Sequence, residues 1–241
     1  MKINIIFPVL NERLRLEKGI RSTVEYLQSI DFEEYCITIV DNGSEDETPE
    51  IAARLCEEFP KVSYERIQTR GVGAAFRRGV ALNTCEIVGY MDIDLSTNIK
   101  HLGEAIEIFR KDESIQYING SRFAKESDTK GRKWYRKITS QGLLILLKVF
   151  LGMKSSDAIC GFTFVRKSVA EELIEASSDD NGWFYMIEFL LRAEKRGMNV
   201  LDYPVEWQED YNTTVKIFKT ICNYLVQITR LFIEFYIKKN I

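Results

Sequence analysis

The chain has 241 residues, 45% of them hydrophobic, and a formal net charge of −3. That is enough apolar material for one large α/β domain, or a domain with a short appendage, and no global basic field that would draw it to nucleic acid. The five cysteines, at 36, 56, 85, 160 and 222, form no Cys-x-x-Cys, and His101 is the single histidine, which excludes a zinc site of the usual kind.

Apolar runs and amphipathic segments alternate through the first half. Residues 3–9, 35–41, 62–67 and 87–92 read as strands, and 12–29, 46–58 and 73–82 as helices between them. This order predicts a mainly parallel, doubly wound α/β sheet with helices on both faces. Further on, 115–119 reads as a strand, 138–151 as a strongly apolar helix and 162–166 as a strand. Helices at 169–176 and 183–196, a strand at 199–207 and a helix at 214–239 complete the chain. The last helix carries Ile217, Ile221, Tyr224, Ile228, Leu231 and Phe235 at alternating four- and three-residue spacing. Such a stripe suits the core, a dimer seam or a membrane surface, with core packing the default. Charges interrupt both apolar helices well before the ~18 residues a span needs. Free thiols fit a reducing compartment, and a strand at the very start leaves no room for a signal peptide. The expected place is the cytoplasm or the cytoplasmic face of a membrane.

Ligands on such sheets bind beyond the carboxyl ends of the strands, and the polar clusters fall there. Asp92-Ile93-Asp94 ends the run at 87–92. Strand alternation would put both carboxylates on one side, where they repel unless a hard divalent ion such as Mg²⁺ or Mn²⁺ neutralises them. Asp41, at another strand end, offers an acceptor for a nucleobase or ribose, while Asn42, Gly43 and Ser44 make a turn and helix cap. Arg70-Gly71-Val72-Gly73-Ala74-Ala75-Phe76 lacks the third glycine of a dinucleotide fingerprint. It reads instead as a loop opening a helix, with backbone N–H groups available to a nucleotide. Between Arg122 and Lys137 stand seven basic residues, Arg132 and Arg136 among them, against only Glu126 and Asp128. A basic segment leading into an apolar helix suits a lipid phosphate at a membrane surface, with Trp134 and Tyr135 at headgroup level.

Together these blocks resemble the family 2 glycosyltransferases of the GT-A fold, most of all the dolichyl- and polyprenyl-phosphate mannosyl- and glucosyltransferases. The resemblance spans roughly residues 3–210. It is carried by Pro8-Val9-Leu10-Asn11-Glu12, Val40-Asp41-Asn42-Gly43-Ser44, Arg70-Gly71-x-Gly73, Asp92-Ile93-Asp94-Leu95, Gly120-Ser121-Arg122, Asp157-Ala158-Ile159-Cys160-Gly161-Phe162 and Pro204-Val205-x-Trp207. It implies a GT-A domain at 1–210, with 211–241 packed on the domain, a membrane surface or a second protomer. It also implies that Pro8, Asn11, Glu12, Asp41 and Gly71 line the nucleotide pocket, with Asp92 near the ribose and diphosphate. Asp92 and Asp94 would hold Mg²⁺ or Mn²⁺, and Arg122 with Arg132 or Arg136 the acceptor phosphate. Asp157 and Glu188 would face the acceptor. Two departures stand out: relatives often carry Asp-x-Glu where this chain has Met186-Ile187-Glu188, and many continue into transmembrane helices.

The implied reaction moves one sugar, with inversion, from a UDP- or GDP-sugar to a polyprenyl phosphate. That acceptor oxygen is already anionic and needs no strong base. A sugar-hydroxyl acceptor in glycan or surface polysaccharide synthesis needs a carboxylate base, and Asp157 and Glu188 are the two candidates. From another class stands a non-catalytic nucleotide-sugar-binding protein, against which the intact Asp-x-Asp argues. A nucleotidyltransferase would need a glycine-rich phosphate loop that Pro8–Glu12 lacks.

Overall fold

The computed structural model describes residues 1–131, 134–209 and 217–239; the side chains of 217–221 lie outside that description. The first half builds as its alternation predicts: β1 (Ile3–Val9), α1 (Leu16–Ser29), β2 (Tyr35–Asp41), α2 (Thr48–Glu58), β3 (Val62–Arg66), α3 (Val72–Ala81) and β4 (Ile87–Met91). Then come α4 (Lys100–Lys111), β5 (Tyr117–Ser121), β6 (Asp128–Lys130), α5 (Trp134–Leu151), β7 (Phe162–Arg166), α6 (Lys167–Ala176) and α7 (Phe184–Lys195). β8 (Val200–Pro204), β9 (Glu206–Gln208) and α8 (Ile217–Phe232) follow, and Ile233–Ile237 widens into a π-helical turn.

Seven strands form one sheet in the order β3-β2-β1-β4-β7-β5-β8. All neighbours run parallel except β7, which is antiparallel to both β4 and β5. Alternation sorts the side chains into two cores. Ile3, Ile5 and Phe7 of β1 meet Leu16, Ile20 and Val24 of α1 and Leu102, Ile106 and Phe109 of α4. Ile6 of the same strand, with Val88 and Tyr90 of β4, faces Phe76 of α3 and Phe189 of α7 on the other side. The pattern is the period-two signature of a sheet covered on both faces.

Four expectations change. The strand at 199–207 is two strands, because Val205 breaks away after Pro204: β8 pairs with β5, and β9 pairs with β6 in a separate small sheet. Neither β6 nor α4 was among the expected elements, although Leu102, Ala105, Ile106 and Phe109 of α4 follow a helical spacing. Asp92 and Asp94 lie beyond the last ladder residue of β4, Met91, so strand alternation is not what brings them together. Glu188, expected to face the acceptor, is fully buried. In the last helix, Tyr224, Ile228, Leu231 and Phe235 of the stripe pack into the second core. Ile217 and Ile221 fall outside the described side chains.

Candidate active site

The loops after β1 and β2 are stitched together beyond the strand ends. Asn11 sits at φ 57, a left-handed conformation that asparagine tolerates. Its N–H donates to Ser44 Oγ (2.9 Å), and its Oδ1 accepts from the Glu45 N–H (2.8 Å). The Glu12 N–H donates to Thr48 Oγ1 (2.8 Å). Pro8 is half-buried one residue before the end of β1, opposite Val40. Asp41 is fully buried. Its Oδ1 accepts from the N–H (2.8 Å) and hydroxyl (2.6 Å) of Ser44, and its Oδ2 accepts from the Tyr64 hydroxyl (2.7 Å). Burial and this bond push the Tyr64 phenol upward. The carboxylate expected to meet a base or ribose is therefore enclosed, and it organises the turn instead.

The loop before α3 also departs from expectation. The loop from Arg70 to Phe76 was expected to offer backbone N–H groups to a nucleotide; those of Gly73 and Ala74 donate to the Asn181 carbonyl (3.0 and 3.4 Å). Gly71 makes this possible. At φ +132, it leaves open a spot where a Cβ would stand 1.9 Å from the Asn181 oxygen. The Gly71 N–H donates to Asn42 Oδ1 (3.2 Å), tying the loop to the end of β2.

A turn after β4 brings the two acidic residues together. The Asp92 N–H donates to the Gly161 carbonyl (3.2 Å), and the Asp92 carbonyl accepts from Leu95 (3.1 Å), itself left-handed at φ 52. Ile93 anchors the turn in the first core, at 4% exposure, where it packs on Gly19. Asp94 Oδ1 accepts from the Ser96 N–H (2.9 Å). Among the described residues no hydrogen bond reaches the Asp92 carboxylate. Its carboxyl is pushed up to about 7, first by burial, then by the charge of Asp94, with Glu12 adding and Arg122 opposing. A half-buried carboxylate with a second beside it and no donor of its own fits a divalent cation. Among the described residues no third histidine, cysteine or carboxylate joins the pair.

On the other side of the carboxylates, Asp157 fixes Arg122. The guanidinium reaches it through Nε (2.7 Å) and Nη2 (2.9 Å), and the Arg122 backbone N–H adds a third bond (3.1 Å). Burial alone would raise the Asp157 carboxyl, but Arg122 holds it below the usual range. The Arg122 guanidinium lies 5.4 Å from the Trp207 ring centre and 5.8 Å from that of Phe123. Nη1 makes no hydrogen bond among the described residues. Arg136 pairs with the buried Glu209. Arg132 lies outside the described residues. Both described arginines thus carry a carboxylate partner, which sequence spacing did not reveal.

Glu188 belongs to a different neighbourhood. Its carboxylate takes Arg192 (2.8 Å) from its own helix, Arg230 (2.5 Å) from α8 and the Ser178 hydroxyl (2.6 Å). None of these partners contacts the carboxylate pair. Tyr64 and Asn181 also shape the site, and sequence reasoning assigned neither. Each works through a contact between segments far apart in the chain.

A parallel sheet with one antiparallel strand set inside it, and paired carboxylates beyond β4, defines the GT-A class of glycosyltransferase fold. The chain belongs to glycosyltransferase family 2, whose family model, Glycosyl transferase family 2, matches residues 4–174. It is 30% identical to Glycosyltransferase AglD of Haloferax volcanii, over 100% of this chain and 38% of that protein. It is 30% identical to dolichyl-phosphate beta-glucosyltransferase ALG5A of Trichomonas vaginalis, over 89% of this chain and 68% of that one. With dolichol-phosphate mannosyltransferase of Pyrococcus furiosus it shares 28% over 96% of this chain and 64% of that one. Glucosyl-3-phosphoglycerate synthase of Mycobacterium tuberculosis, solved with Mn²⁺ and UDP-glucose, superposes with a TM-score of 0.69. That match has 17% identity and covers 94% of this chain and 78% of that one.

Proposed function

We propose that the chain transfers one sugar, with inversion, from a nucleotide-diphosphate donor to a polyprenyl phosphate. The observation that carries this reading is the half-buried Asp92 carboxylate, within reach of the charges of Asp94 and Arg122 and with no donor of its own. Asp92 and Asp94 would hold Mg²⁺ or Mn²⁺, which when bound neutralises charge on a leaving diphosphate. The solved relative with Mn²⁺ and UDP-glucose supports that assignment.

The remaining roles belong to the chain's own residues. Pro8, Asn11 and Glu12 line the nucleotide side, and Asp41 holds the shape of their neighbouring turn. Gly71 carries the loop that closes this side. Asp157 orients Arg122, whose Nη1 is left to an acceptor phosphate. Arg136 stands at the entrance to α5. Asp157 and Glu188 each receive several charged donors, which makes them poor proton acceptors. That favours a phosphate oxygen, already anionic, over a sugar hydroxyl that needs a base. The names of the dolichyl-phosphate relatives support the same acceptor.

The test is a transfer screen with UDP- and GDP-sugars and Mn²⁺ or Mg²⁺, with and without a short polyprenyl phosphate. Lipid-dependent release of a nucleoside diphosphate is expected. Nucleotide binding with no response to the lipid would overturn the acceptor and return a base to the argument.

A further inference from the structure

The only histidine of the chain stands on the first turn of α4, 5% exposed, and touches none of the residues assigned above. Its ring has a defined hydrogen-bond pattern. Nδ1 lies 2.5 Å from Glu104 Oε2, and Nε2 lies 2.8 Å from the backbone nitrogen of Glu206. A carboxylate only accepts and a backbone N–H only donates. The ring proton therefore sits on Nδ1, and Nε2 accepts. Tyr203 reinforces this by donating its hydroxyl to the same Glu104 oxygen. Edge contacts with Tyr203 (5.6 Å) and Phe162 (6.3 Å) fix the ring plane.

What the ring holds is β9. The Glu206 carbonyl accepts from the Asn98 N–H (2.9 Å), Trp207 bridges to Thr97, and the Gln208 N–H donates to Ser96 (2.8 Å). Residues 96–98 directly follow the Asp92–Asp94 turn. The same short strand therefore bonds the segment after the carboxylates and presents Trp207 over the Arg122 guanidinium at 5.4 Å. We propose that His101 is a positioning residue for the acceptor side: as a hydrogen-bond acceptor through Nε2, it fixes Glu206 and so sets Trp207 above Arg122. This rests on the reading of Arg122 as the acceptor-phosphate group.

Two substitutions separate the ring nitrogens. Gln places an acceptor near the Nε2 position, whereas Asn reaches only the Nδ1 position. His101→Asn is expected to raise the acceptor KM about tenfold with the donor KM unchanged, and His101→Gln to stay within about twofold of wild type. Donor and acceptor KM rising together, or equal behaviour of the two variants, would overturn the proposal. If His101→Asn does not fold, nitrogen NMR of the wild type decides, because one imidazole gives an unambiguous spectrum. An Nδ1–H tautomer supports the role; an Nε2–H tautomer or an imidazolium overturns it. Absence of transfer to polyprenyl phosphate in the wild type would sink the acceptor reading instead. The anchoring claim is then decided by exchange of the Glu206 amide, expected to be faster in His101→Asn than in His101→Gln and refuted if the two match.

Discussion

Gly161 leaves no room for a side chain, and the reason is Asp92. A Cβ at 161 would stand 1.8 Å from Asp92 Oδ2, while the Gly161 carbonyl holds the Asp92 N–H. Gly161→Ala should therefore move the carboxylate rather than unfold the chain. A displacement of that order is expected to lower kcat about 100-fold, against an overpacking cost of about 1–3 kcal/mol in denaturant titration. Near-normal kcat would mean the carboxylate does not work from this position. Asp94→Ala makes the complementary test. It should cost about 10²–10³ in kcat and abolish the response to added Mn²⁺, with an unchanged melting curve. The pair Asp92 and Asp94 was legible in sequence because two acids one residue apart are a local pattern. Their geometry was not, since it depends on Ile93 reaching Gly19 and on Gly161 lying under Asp92. Asp41 shows the same limit: a strand-end acid is visible, whereas its enclosure needs Tyr64 of β3 as well as Ser44 of its own turn.

At the scale of elements, the alternation of strand and helix was readable through β4, where each segment is long and periodic. The three-residue strand β6 escaped notice, and β9 was merged with β8, because neither is long enough to carry a period of its own. Glu188 belongs to this scale. With Arg192 and Arg230 it ties α7 to α8, and Arg192 continues to Glu234 (2.5 Å) in the π-helical turn. Removing the carboxylate takes two hydrogen bonds from Arg192, a guanidinium only 2% exposed, and leaves Glu234 to hold it. Glu188→Ala should then cost about 3–5 kcal/mol in urea unfolding. Burial tends to raise the Glu188 carboxyl, but bonds from Arg230, Ser178 and Arg192 hold it below the usual range. Its stabilisation is therefore fully present above the unfolded glutamate value of about 4.3 and is lost as pH falls through the lower folded value. The gap between wild type and Glu188→Gln should be widest near neutrality and narrow below about pH 4. A gap independent of pH would mean the charge of Glu188 contributes nothing.

For the whole molecule, the question is what meets the outer face of α5. From Trp134 to Ser155 the chain has no acidic residue and four basic ones, Arg136, Lys137, Lys148 and Lys154, although it is net negative overall. Trp134, Ile138, Ile145 and Val149 are 74%, 59%, 60% and 72% exposed, at a spacing that lines one side of the helix. Next to it, α8 and the π-helical turn bury Tyr224, Ile228, Leu231 and Phe235 but leave Val226 and Ile237 each 66% exposed. Among the described residues no helix is long and apolar enough to cross a membrane. An apolar stripe edged by lysines, without carboxylates, has the chemistry of a helix lying in the headgroup region of an anionic bilayer. Its position suits the acceptor, because α5 follows β6, and Arg136 at its start pairs with Glu209 just past β9 and Trp207. Burying one such aliphatic side chain is worth about 1.5–3 kcal/mol when complete, and each lysine near an anionic surface about 1 kcal/mol. The double variant Ile145→Glu with Val149→Glu should lower partitioning into phosphatidylglycerol-containing vesicles by roughly 100-fold. Transfer to a soluble short-chain polyprenyl phosphate should stay near wild type, since neither residue touches Arg122 or the carboxylates. Unchanged vesicle binding would refute the bilayer as the occupant. A dimer in solution that this double variant dissociates would assign the face to a second copy of the chain.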